Sequence, residues 1–141
     1  MLLIITAYTL VTLLRTVRAD FSRELWQALG SPGAAMVFTR SEVWVTLAVI
    51  IPMGLMARIR DNRRAFYAGL AVSCLGLAIV AIACWAWRQG GVDAFGFMVA
   101  IGIGLYLPYI AVHATLFERF IALTRDRANL GFLMYLADTA G

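Results

Sequence analysis

Arg15 and Arg18 stand inside the first apolar stretch of the chain, MLLIITAYTLVTLLRTVRADFSRELWQALG, and they are the side chains with the most chemistry to offer. An ionised group at bilayer depth costs roughly 2.5–3.5 kcal/mol on insertion scales, so such groups face a partner or a watery cavity. If Leu2 marks one membrane boundary, Arg15 lies about 20 Å deep in a hydrocarbon core about 30 Å thick. Tyr8, Thr12 and Arg15 then share one helix face, with Arg18 about 60° to one side. Arg18, Arg23 and Glu24 can snorkel outward along their stems; Arg15 does so less easily. A guanidinium held at depth demands an acceptor. One candidate is Asp138, about 14 Å into the last apolar segment if that helix starts near Asn129. The other is an anionic solute, which the planar fork of Arg grips with paired hydrogen bonds.

A second polar stripe lies further along. Gly102, Tyr106, Tyr109, His113 and Phe117 recur at spacings of three and four, which puts them on one helix face. Tyr106, Tyr109 and His113 could line a substrate cavity, with His113 taking up a proton in coupling. The same groups could instead hold the bundle together through interhelical hydrogen bonds. No metal-ligand spacing, nucleophile elbow, P-loop or HExxH motif occurs. Neither an enzyme, a metal nor a cofactor is expected.

These residues need helices in a membrane to position them. The chain has 141 residues, 62% of them hydrophobic and 14% charged, against about 45–50% and 25% in soluble domains. Its mean hydropathy is +0.84. A soluble fold of this length could not hide so much apolar surface. All twelve basic residues are Arg, and the net charge is +4. The arginines bracket apolar spans, a membrane-topology pattern, so nucleic acid is not expected as a partner. Cys74 and Cys84 fall in one helix, about 15 Å apart along its axis, too far to bond to each other there.

Five apolar segments are legible, at about residues 2–29, 41–60, 65–87, 94–117 and 128–141. They predict an all-α fold, a single polytopic transmembrane helix bundle of about five spans over residues 1–141, with the lipid bilayer as solvent. Gly30-Ser31-Pro32-Gly33 and Gly90-Gly91 end helices, and Thr39-Arg40-Ser41-Glu42 fits a capping box for the second. Pro52 and Pro108 fall inside spans, where membrane proteins tolerate them. The loops Arg58–Arg64 and Glu118–Arg127 hold the densest arginines, which places the N-terminus in the cytoplasm. Trp26, Trp44, Trp85 and Trp87 lie at the opposite ends of the spans and mark the outer interface. The chain starts within one helix and stops within another, as a piece of a larger bundle would.

The stretch Gly54-Leu55-Met56-Ala57-Arg58-Ile59-Arg60-Asp61-Asn62-Arg63-Arg64 is similar to the cytoplasmic loop motif of the major facilitator superfamily. That motif runs glycine, three residues, aspartate, then a glycine and a basic pair. Gly54 and Arg63-Arg64 match it; Arg58 stands where the acid belongs, and the basic pair comes one residue late. The segments resemble the seventh to eleventh helices of such a transporter, its C-terminal half. More narrowly, Leu14–Trp26 resembles an uncharacterised bacterial group of facilitator-like membrane proteins, whose helix reads Arg-x-x-Arg-x-x-Phe-x-x-Glu-x-Trp. Arg15, Arg18, Phe21, Glu24 and Trp26 match it, while Thr16 and Ala19 stand where acids are expected.

The resemblance implies a multi-pass protein of the bacterial inner membrane that forms part of a secondary transporter. Such carriers hold substrate between two halves. A chain of at most five spans would therefore need an N-terminal half-transporter or a second copy as partner. Arg15 and Arg18 would bind a small-molecule anion, Tyr106, Tyr109 and His113 would line the cavity, and Asp138 would balance charge. The alternative is a non-transporting membrane scaffold, or a truncated facilitator-like remnant.

Overall fold

In the computed structural model, residues 2–30, 35–113 and 139 are described. Among them the chain is all-helical: α1 (Leu2–Asp20), α2 (Ser22–Ala28), α3 (Ala35–Ala57), α4 (Asn62–Arg88) and α5 (Ala94–Ala111). A short π-type turn at Val112 and His113 continues α5. Three helices are long and apolar enough to cross a membrane: Met36–Ala57 of α3, all of α4 and all of α5. The loop Glu118–Arg127, Phe117, Asp138 and all of the expected segment at 128–141 except Thr139 lie outside the described residues.

The first segment departs from a single long helix. Phe21 (φ −99°, ψ 23°) leaves helical geometry for one residue and separates α1 from α2. The ladder survives the break, because Phe21 N–H donates to Val17 O and Leu25 N–H to Phe21 O. Gly30 then closes α2 at φ 73°, where only glycine sits without strain, and its N–H donates to Gln27 O.

The second segment starts earlier than its capping signal. α3 is already helical at Ala35, so Thr39–Glu42 is helix interior. Ser41 is fully buried, and its Oγ donates to Phe38 O instead of capping an N-terminus. The apolar residues before Thr39 extend the helix upstream and release Glu42 for another partner. The caps of the other helices are the ones expected of Asp. Asp61 accepts from Arg63 N–H at the start of α4, and Asp93 from Gly96 N–H at the start of α5. α4 ends in a Schellman pattern, with Gly91 N–H on Ala86 O and Gly90 N–H on Trp87 O.

α5 is the hub. α4 runs antiparallel along one side of it: Trp87 packs on Phe97, Val80 on Gly104, and Gly76 on Gly104 and Pro108. Two glycines make this crossing possible. A Cβ on Gly76 would stand 2.7 Å from Gly104 O, and one on Gly104 would stand 2.8 Å from Gly76 O. Such small-residue contacts are how helices associate where hydrophobic burial gives no drive. α3 runs parallel to α5 on a second side, where Val45, Val49 and Leu107 form the buried cluster. α1 runs antiparallel to α5 on a third side, with Tyr8 beside His113 and Arg18 beside Met98. The helices thus alternate in direction, as short connections between spans require.

Candidate functional site

The two polar stripes face each other. α1 presents Tyr8, Thr12, Arg15 and Arg18 to α5, whose Gly102, Tyr106, Tyr109 and His113 form the opposing face. At the end where α1 begins, the Tyr8 hydroxyl lies 3.1 Å from His113 Nδ1. With the imidazole proton on Nε2, that hydroxyl donates to Nδ1. Tyr8 is 1% exposed and stacks on Tyr109, with ring centroids 5.6 Å apart and planes 17° apart. Tyr109 in turn stacks on His113 at 5.8 Å. The Tyr8 and His113 ring centroids are themselves 6.1 Å apart, so the three rings form one triangular aromatic cluster.

Arg15 lies over the Tyr109 ring of that cluster. Its Cζ lies 4.3 Å from the Tyr109 ring centroid and 5.7 Å from that of Tyr106. Ring quadrupoles stabilise the cation by about 0.5–2 kcal/mol, the upper end when desolvated. They accept no N–H bond in the guanidinium plane, and Arg15 Nε is buried with no hydrogen-bond partner. Among the described residues no carboxylate lies within ion-pair distance of Arg15. Thr12 Oγ1, one turn away, is likewise buried and unpartnered.

Arg18 is different. It is 4% exposed, and its Nη2 donates to Glu42 Oε1 at 2.7 Å and to Met98 O at 3.2 Å. A deep guanidinium was expected at position 15 and a snorkelling one at 18; burial is in fact greater at Arg18. The reason is Gly102, which leaves a hollow in α5. A Cβ there would stand 2.8 Å from Arg18 Nη2 and 2.5 Å from Val45 Cγ2. α1 and α3 therefore meet over Gly102, and the ion pair fastens both to α5.

Of the six candidate site residues, five fall in or beside this seam: Arg15, Arg18, Tyr106, Tyr109 and His113. Asp138 lies outside the described residues. Glu42 was missed. It is the sole carboxylate within the apolar stretch of α3, and a lone acid in a span carries the same signal as Arg15. The capping-box pattern absorbed it.

Beside the seam, between α3 and α5, runs an apolar groove of about 220 Å³ lined by Val45, Thr46, Val49, Ile50, Tyr106 and Ile110. Tyr106 belongs to both features, since its ring also lies under Arg15. Among the described residues no group of three His, Cys, Asp or Glu side chains could hold a metal ion.

The model of a family of unknown function (DUF5690) matches residues 1–141. The chain belongs to that family. No curated protein and no solved structure matches it.

Proposed function

We propose that the chain is a multi-pass membrane protein that binds a small anionic solute at Arg15 and serves as part of a secondary carrier. The observation that supports this most is a guanidinium stacked on Tyr109 in the seam between helices, with no carboxylate in reach among the described residues. An arginine kept only for packing would be neutralised, as Arg18 is by Glu42. The remaining cationic group has donors to offer, and a planar oxyanion is the ligand those donors fit. Tyr8 and His113 hold the Tyr109 ring in place under it.

Alternating access requires two bundles moving about a shared site. We take the partner to be an N-terminal half-transporter or a second copy of this chain, in a bacterial inner membrane. The N-terminus and the Arg58–Arg64 loop face the cytoplasm, and the arginine excess of that loop supports this orientation.

Uptake of an organic-anion panel into cells expressing the protein tests the proposal. Wild type accumulates at least one anion, and Arg15→Gln loses that uptake while inserting normally. A permanent ion pair between Arg15 and Asp138 gives the opposite pattern. No anion accumulates, and Arg15→Gln and Asp138→Asn cost the same stability singly and together.

A scaffold role is the second reading, favoured by one specific contact. Arg18–Glu42 joins α1, α3 and α5 with its charges matched, which is what helix glue needs.

A further inference from the structure

We infer that the ligand of this site is a small monocarboxylate with an apolar body, its carboxylate on Arg15 and its body in the α3–α5 groove. The inference rests on the anion-binding role proposed for Arg15 and specifies what kind of anion that is.

Charge sets the valence. Arg18 is compensated by Glu42, so among the described residues of the seam Arg15 is the one uncompensated cation. His113 is engaged by Tyr8 and stacked on Tyr109. One guanidinium matches one negative charge. A dianion would leave its second charge in the apolar interior without a partner, which costs far more than the first interaction returns.

Geometry sets the shape of the head group. The Tyr109 ring covers one face of the guanidinium at 4.3 Å. The donors that remain lie along its edge, and the buried Nε is among them. An edge of parallel N–H groups fits a planar carboxylate with two coplanar oxygens.

The groove sets the body. Its walls are Val45, Val49, Ile50 and Ile110, with Thr46 and Tyr106 as the polar-tipped members. About 220 Å³ is smaller than the roughly 300–1,000 Å³ of pockets that hold drug-sized ligands. It suits a single ring or a short branched chain. Tyr106 joins the two parts, as a wall of the groove and as a ring under Arg15.

Calorimetric titration of the protein in nanodiscs tests the assignment, with benzoate, succinate, inorganic phosphate and benzyl alcohol as probes. Benzoate binds, and the other three bind at least tenfold more weakly. Arg15→Lys keeps the charge but loses the fork, and weakens benzoate at least tenfold. Val49→Trp fills the groove and weakens benzoate at least tenfold. Succinate or phosphate binding as tightly as benzoate, and lost in Arg15→Lys, overturns the monocarboxylate and leaves the anion site standing. Benzyl alcohol binding as tightly as benzoate, with no effect of Arg15→Lys, overturns both and makes the groove a seat for neutral apolar matter such as an acyl chain. No binding by any probe also overturns both. A Val49→Trp variant that still binds benzoate normally removes the groove from the account.

Discussion

At the scale of single residues, the contrast between two arginines one turn apart carries the argument. Each has a buried Nε without a partner, but Arg18 has an acid, a carbonyl and a glycine hollow, whereas Arg15 has two aromatic faces and, among the described residues, no acid. Glu42→Ala leaves a 4%-exposed guanidinium without its counter-charge. Breaking a buried pair from one side costs about 3 kcal/mol or more. Replacing both partners, in Arg18→Leu with Glu42→Leu, recovers most of that loss, since two matched apolar groups need no counter-charge. Chemical unfolding in micelles reads the difference, and equal costs for single and double variants would refute the pairing. Gly102→Ala forces Val45 and Arg18 apart and costs about 1–3 kcal/mol, as overpacking does. Much of this seam was legible from spacing, because Tyr8–Thr12–Arg15 and Tyr106–Tyr109–His113 each follow the helical repeat. Glu42 was not, because Thr39–Glu42 satisfies a local pattern whose meaning depends on where the helix begins. That beginning was set by Ala35–Phe38, apolar residues that carry no boundary signal.

At the scale of elements, backbone approach distinguishes glycines that look alike in sequence. Gly76 and Gly54 both lie in apolar helices. A Cβ on Gly76 would stand 2.5 Å from Pro108 Cδ and 2.7 Å from a backbone oxygen, whereas one on Gly54 meets nothing within 4 Å. Gly76→Ala therefore separates α4 from α5 and destabilises by about 1–3 kcal/mol. Gly54→Ala is neutral or stabilises by up to about 1 kcal/mol through helix propensity. Thermal unfolding of the two variants side by side checks this; the account fails if their order is reversed. The helix ends at Gly30 and Gly90 follow local chemistry and were readable, whereas the Asp61 cap starts α4 three residues before the apolar segment expected from residue 65. The break at Phe21 was not readable, since no glycine or proline marks it. The pairing of helices was also hidden. Beyond Glu42, α3 is apolar on every side, and the polar stripe of α5 does not say which helix it meets.

At the scale of the whole molecule, α5 sits among three helices that alternate in direction, so the α3–α4 and α4–α5 connections lie at opposite ends of the bundle, and the proposed orientation puts the first of them in the cytoplasm. In a variant lacking Cys74 and Cys84, single cysteines at Arg60 and Gln89 label from opposite sides of the membrane, Arg60 from the cytoplasm. Labelling of both from one side contradicts the alternation of α3, α4 and α5. The proposed function needs more than sidedness: water must reach Arg15 between the helices. The most direct test places a single cysteine at Tyr106 in the same background. Its reaction rates with an anionic sulfonatoethyl and a cationic trimethylammonioethyl methanethiosulfonate are then compared. An uncompensated guanidinium one ring away favours the anionic reagent about tenfold or more over its ratio with a free thiol. Adding Arg15→Gln removes that preference. A thiol that fails to react, or a preference unchanged by Arg15→Gln, contradicts the account.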